Sequence, residues 1–242
     1  MRFLAVIICS LLSTLAAHAQ DAAPLYAVLA GAWTPLDLSP VAWWRGESNA
    51  LDSAGVKNGT WVAPEAYSVG RVGFAFYNPS DDHTSGFVST PQNLYAYGIR
   101  RHATISAWVK PTMPGTLNQR HIFGDWNLSL GLSAYIPMGT RQLGAYVYPG
   151  NYRAVSANNV ITYGDWNHVT VVLSGTAITL YHNGLQVATS ALGGDLGDSA
   201  VPFRIGYRGD QIGTIKGSVD EVIIWDRALS SNEIMQVYNW GH

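Results

Sequence analysis

Asp220 and Glu221 stand side by side in "GSVDEVIIWDRALSSNEI", residues 217–234. Adjacent carboxylates raise two chemistries, acid–base work on a glycosidic bond and oxygen ligation of a metal, against the alternative of a solvated surface. The residues that follow, Val222, Ile223, Ile224 and Trp225, read as a strand. Successive side chains of a strand point to opposite faces, so alternation predicts that one ligand meets only one of these two acids. Glycosidases that work with paired carboxylates need both acids flanking the same bond. The chain holds only four glutamates, Glu47, Glu65, Glu221 and Glu233, and none belongs to an E-x-D-x-E array. The pair is therefore read as non-catalytic.

Other catalytic signatures are equally sparse. His83, His102, His121, His168 and His182 show no H-x-H or H-E-x-x-H spacing, which argues against zinc. There is no G-x-S-x-G elbow, and the single cysteine, Cys9, lies in the N-terminal apolar run. Arg208-Gly209-Asp210 spells an integrin-type tripeptide that an ordinary Gly-centred turn also explains, and the sequons at Asn58 and Asn127 matter only in a eukaryotic cell. Aromatic residues offer more. Trp126, Tyr146, Tyr148 and Tyr152 lie in and around "AYVYPGNYR", residues 145–153, where a Pro149-Gly150 turn would present side chains at a rim. Aromatic faces stack on sugar rings, and Asn151 and Arg153 could bond hydroxyls. Tyr146 and Tyr148 share one face, so both point in or both point out, and inward packing is the commoner fate of such residues.

These side chains must be held by strands. Two-residue alternation recurs in "ATISAWVKP" (103–111), "NHVTVVLS" (167–174), "AITLYH" (177–182) and "LQVATS" (185–190), so the class is all-β. Asn183-Gly184 predicts a type I′ hairpin. Gly-Asp-Trp-Asn occurs at 124–127 and 164–167, near a propeller-blade period, but no third copy follows, which favours a sandwich. Trp108, Trp166 and Trp225 are assigned to the core. Ser230 and Glu233 have capping-box spacing and Leu229 with Ile234 that of a hydrophobic staple, predicting a short C-terminal helix. Ile234, Met235, Val237 and Tyr238 give it an apolar face to pack on the sandwich.

Only 12% of the 242 residues are charged and the net charge is −2, which suggests neither nucleic acid nor an anionic membrane surface as partner. Nine Trp and thirteen Tyr fit neutral polymers better. Arg2, the apolar run to Ala17 and the Ala17-His18-Ala19 site predict a signal peptide over residues 1–19, too short to span a membrane, and a secreted or periplasmic chain starting at Gln20. The mature chain then has no disulfide. Residues 20–39 read as a lead-in and residues 40–242 as one domain.

In sum these segments resemble laminin-G-like, concanavalin-A-like jelly rolls of the bacterial secreted kind. The resemblance rests on "VAWWRGESNALDSAGVKNGTW", "GRVGFAFYNPSDDHTSGFVST", "ATISAWVKP", "GDWNHVTVVLSGTAITLYHNGLQVATS" and the Asp220 segment, in that order over residues 40–242. It implies an antiparallel β-sandwich jelly roll with a short C-terminal helix. It gives no activity, because the fold hosts lectin-like modules, lyases, hydrolases and adhesion domains. No Arg/Gln/His/Tyr constellation of the lyase kind, such as Q-I-H, is recognised. The loop "LDSAGVKNGT" offers Asp52 and Asn58 as hard oxygen ligands for Ca²⁺, and the resemblance implies that it lies near the strand of Asp220. A structural Ca²⁺ held by Asp52, Asn58 and Asp220 but not Glu221 is the expectation; simple Asx turns are the alternative. The favoured function is a carbohydrate- or surface-binding module without catalysis, its partner a polysaccharide or glycan. The alternatives are a polysaccharide-acting hydrolase or lyase of the same fold, and a structural or adhesion module for a cell-surface protein.

Overall fold

Alternating apolar residues can bury one face of a strand, and two such sheets bury their apolar faces against each other. The structure, a computed structural model, describes residues 33–62, 64–79, 86–112, 119–127, 130–137, 139–148, 153–208 and 213–241. The expected signal peptide and most of the lead-in lie outside them. Two units are distinguished, Met1–Leu38 and Ser39–His242. Of the first, residues 33–38 are described; Pro35–Leu38 forms a 3-10 turn.

The second unit is the sandwich. Its eight-stranded sheet contains β1 (Ala42–Trp44), β3 (Tyr67–Val69), β4 (Phe74–Asn78), β6 (His102–Pro111), β11 (Asn167–Ser174), β12 (Ala177–His182), β13 (Leu185–Ala191) and β15 (Gly217–Trp225). The order is β13-β12-β11-β6-β15-β4-β3, with β1 also paired to β15. The seven-stranded sheet contains β2 (Thr60–Val62), β5 (Phe87–Ser89), β7 (Gln119–Gly124), β8 (Gly131–Pro137), β9 (Leu143–Tyr148), β10 (Arg153–Ala157) and β14 (Arg204–Ile205), in the order β10-β9-β8-β7-β14-β5-β2. All of these strand pairings are antiparallel. Between the sheets lies one core, including Trp44, Ile105, Val109, Phe123, Leu132, Val147, Val171, Phe203 and Val222. Trp44 and Phe203 stack at its centre with ring centroids 5.9 Å apart. Each large side chain buried there contributes about 1.5–3 kcal/mol.

The predicted hairpin joins β12 to β13. Asn183 (φ 50°) and Gly184 (φ 78°) both adopt the left-handed backbone that a type I′ turn demands. The helix α1 spans Ser231–Trp240 and begins with the predicted capping box: Ser230 Oγ accepts from Glu233 N at 3.3 Å and Glu233 Oε2 from Ser230 N at 2.7 Å. Its Ile234 and Val237, with Leu229, cover Trp225, Thr104, Ser106 and Thr170 on the outer face of the eight-stranded sheet. Tyr238 stacks on Trp108 at 5.5 Å. Trp108 and Trp225 are thus buried under the helix rather than between the sheets. Trp166 departs from the expectation, being half-buried in the turn before β11.

Candidate functional site

Strand β15 changes neighbour along its length. Gly217–Val219 pair with β4, whereas Val222–Ile224 pair with β1. Asp220 and Glu221 fall in the gap, where the pairing with β6 also shifts register. Val219 and Val222 both face the core, so two residues occupy the space of one, and Glu221 takes the left-handed conformation (φ 49°). The alternation expected of the sequence is broken here: both acids lie on the outer side of the sheet. They remain buried, Asp220 at 0% and Glu221 at 2% exposure.

Each carboxylate is filled by protein donors. Asp220 Oδ2 accepts from the Arg71 and Val72 amides at 2.7 and 3.0 Å, and Oδ1 from the Glu221 amide at 2.8 Å. Trp43 Nε1 donates to Glu221 Oε2, and Arg45 Nε lies 3.3 Å from Oε1. Asp220 thereby grips the β3–β4 turn, and Glu221 grips β1. Burial pushes both acids toward their protonated forms. For Asp220 the neighbouring Glu221 charge adds to burial. For Glu221 burial outweighs Arg45 and raises the pKa to about 8. Buried and filled by donors from β1, the turn before β4 and β15 itself, the two acids latch these segments together.

Asp52 is engaged in the same manner. Its Oδ1 accepts from the Trp43 and Ala54 amides at 2.9 and 3.0 Å and its Oδ2 from the Lys57 amide at 3.0 Å, while Asn58 Oδ1 accepts from the Asp52 amide at 3.0 Å. N–H groups point at the oxygens a cation would need. Among the described residues no three His, Cys, Asp or Glu side chains gather in a metal-holding group. Asp52, Asn58 and Asp220 do not fit the Ca²⁺ site expected of them; the Asx-turn alternative describes the loop.

Three of the four expected ligand-stacking residues do come together. In β9, Leu143, Ala145 and Val147 enter the core, so Tyr146 and Tyr148 lie on the outer face of the seven-stranded sheet. There Trp126, Tyr135 and Tyr146, all three buried, form a cluster separate from the core, with half-buried Tyr148 packed against it. Tyr135 and Tyr146 stack at 4.3 Å, and Trp126 lies 5.0 Å from Tyr146 and 6.1 Å from Tyr148. Tyr152, with Pro149, Gly150 and Asn151, lies outside the described residues.

Polar groups thread this cluster. Arg208, of the RGD tripeptide, places its guanidinium 5.9 Å from the Trp126 ring and 5.7 Å from that of Tyr146, and its Nη1 donates to the Tyr146 oxygen at 3.2 Å. Tyr146 donates in turn to Gln119 Oε1. His121 lies 5.9 Å from Tyr135 and 6.1 Å from Tyr146. The sequence reading does not single out Gln119 and Tyr135 and discounts His121 and Arg208, and its rejection of a Gln/His/Tyr/Arg grouping is corrected: Gln119-Arg120-His121 is a Gln-x-His, and strand alternation puts its ends on one face.

Comparison with known proteins accords with this architecture. No curated protein matches the chain. Among solved structures, domain 4 of AbnA, an extracellular GH43 arabinanase from Geobacillus stearothermophilus solved with arabinotriose, superposes with a TM-score of 0.67 at 19% identity, covering 83% of this chain and 98% of that domain. The binding domain of Paraclostridial Mosquitocidal Protein 1 gives 0.67 at 16% identity, and that of botulinum neurotoxin serotype D gives 0.62 at 16%. These cover 84% and 83% of this chain but 52% and 50% of theirs, so the chain spans about half their length. At such identities the likeness shows the fold, the jelly-roll sandwich, alone. A model of the concanavalin A-like lectin/glucanases superfamily, of laminin G type, matches residues 82–235. With more than half of its length matched, the chain belongs to that superfamily.

Proposed function

We propose that this chain is an exported carbohydrate-binding module and that the outer aromatic face of the seven-stranded sheet is its binding surface. The observation that carries the reading is the Trp126–Tyr135–Tyr146–Tyr148 cluster, set apart from the core and threaded by Gln119, His121 and Arg208. Stacking faces beside a few fixed polar groups suit a saccharide. The structurally similar arabinanase domain was solved with arabinotriose, which makes a saccharide the first ligand class to test. The reading is checked by a pull-down panel of insoluble polysaccharides with a reducing-end assay on each bound polymer. Tyr148→Ala should weaken binding about five- to thirty-fold, the loss of one aromatic contact, with the circular dichroism spectrum unchanged. Retention of no polysaccharide would refute it.

One observation favours the alternative of a polysaccharide-acting enzyme: an imidazole, a guanidinium and a phenol share this face, and such groups can abstract protons and neutralise an acidic sugar. Steady release of reducing or unsaturated ends by purified protein, abolished by His121→Asn, would establish that reading. Export rests on residues 1–19 and is checked by mass spectrometry of the exported chain, which should begin near Gln20.

A further inference from the structure

His121 is completely buried yet half used. Its Nδ1 lies 2.7 Å from Ser133 Oγ, and Ser133 Oγ lies 3.2 Å from the Phe123 carbonyl oxygen. A carbonyl cannot donate, so the bond to Phe123 uses the only hydroxyl proton of Ser133, and with that bond made Ser133 Oγ accepts from His121. The imidazole therefore carries its proton on Nδ1. Burial first, and the Arg208 charge second, hold its pKa well below the usual histidine value, so the ring is neutral. Nε2 is left as a bare lone pair without a hydrogen-bond partner.

Position decides what that lone pair faces. Nδ1 adjoins the ring carbon that bears the side chain, whereas Nε2 sits at the distal end. The ring is thus tied at its root to β8, and it lies beside the Tyr135 and Tyr146 rings, close enough to Arg208 to feel its charge. An unsatisfied buried acceptor costs about 1–3 kcal/mol, a cost that a ligand donor removes. His168 makes a useful contrast. Its Nδ1 is equally bare and buried, but its ring lies against Trp108 and against Tyr238 of α1, beneath the helix.

We infer that His121 Nε2 is the specificity-determining acceptor of the aromatic face, taking a hydrogen bond from a hydroxyl of the bound saccharide. The inference rests on the carbohydrate reading above. Ser133 fixes the tautomer, so the site reads a donor at this point and rejects a sugar that presents an ether or a methyl there.

Calorimetric titration of the full chain with arabinotriose, xylotriose, cellotriose and a triuronate tests it, on wild type, Tyr148→Ala, His121→Asn and His121→Gln, each with its melting temperature. Asparagine places an amide N–H where Nδ1 was and so keeps the Ser133 contact, but it has nothing at the tip. Glutamine places its oxygen near the Nε2 position. Affinity for the trisaccharide that wild type binds should fall about tenfold in His121→Asn, the loss of one hydrogen bond, and stay within about threefold in His121→Gln. Should either variant fold poorly, ¹⁵N spectra of wild type decide: the Nδ1–H tautomer should be present, and the Nε2 signal should move when the trisaccharide is added. Undiminished binding by His121→Asn while Tyr148→Ala loses it, or an unmoved Nε2 signal on saturation, overturns this inference alone. Equal losses in both His121 variants that track their melting temperatures would show a structural role and overturn it too. If wild type binds none of the four trisaccharides and no polysaccharide, the carbohydrate reading fails and this inference with it.

Discussion

Glu221 ties β15 to β1 and to Arg45 through its carboxyl group. A left-handed backbone at a non-glycine position costs about 1–3 kcal/mol, and here it is offset by the bonds from Trp43 and Arg45. Its carboxyl titrates at about 8 when folded, against the ordinary 4.5. Between those values the unfolded chain holds fewer protons than the folded one, so this group's contribution, full below about pH 4.5, is lost as pH rises toward 8. His121 and His168, whose pKa values are lowered by burial, act oppositely, their contribution being lost as pH falls below 6.5. The diagnostic quantity is therefore a difference. Glu221→Gln should melt progressively higher relative to wild type from pH 5 to pH 8, and a constant offset would show that Glu221 does not titrate in this window. Asp52 gives a second prediction. Asp52→Ala strands three amide donors and should lower stability by about 2–4 kcal/mol, equally in EDTA and in millimolar calcium. A calcium-dependent rise in wild-type melting temperature that Asp52→Ala abolishes would restore the metal reading.

At the scale of elements, what was legible is what is local. The β6, β11, β12 and β13 runs, the Asn183-Gly184 turn and the Ser230–Glu233 box are each set by residues within a few positions, and each appears as the spacing predicts. Replacing the cap, Ser230→Ala, should cost about 1 kcal/mol and lower the melting temperature. It should also loosen the aromatic stack of Tyr238 on Trp108, which near-ultraviolet circular dichroism would register. The β15 bulge was not legible because its cause is non-local: β15 passes from β4 to β1 at that point, and no pattern within 217–225 announces a change of neighbour. The aromatic face was half legible. Alternation tied Tyr146 to Tyr148, but parity alone does not say which side meets the core; that is decided by Leu143, Ala145 and Val147 packing inward. Gln119-x-His121 is readable by the same rule, since strand alternation puts both side chains on one face whatever residue stands between them. At Asp52 and Asp220 the limit is different: sequence shows which oxygens exist, whereas only the fold shows that amides bond to them.

For the whole molecule, the sandwich divides labour between its two outer faces. The eight-stranded sheet carries α1 and the Asp220–Glu221 latch on its outer side, while the seven-stranded sheet carries the buried aromatic cluster and half-buried Tyr148 on its own outer side. The core lies between them, and packed sheets stand about 10 Å apart. Groups that far apart with no shared partners usually act independently, and coupling between two sites is reciprocal. The latch should therefore set stability without setting affinity. At each pH from 5 to 8, Glu221→Gln should bind the same saccharide with the wild-type dissociation constant although its melting temperature differs. Conversely, Tyr148→Ala should lose affinity and keep the wild-type dependence of melting temperature on pH. At a ligand concentration of a hundred times Kd, binding should stabilise wild type and Glu221→Gln alike, by about 2.7 kcal/mol. A change in affinity on Glu221→Gln, or a pH profile altered by Tyr148→Ala, would show that strain at the β15 bulge crosses the core to the aromatic face, and that stability and binding in this fold are set together.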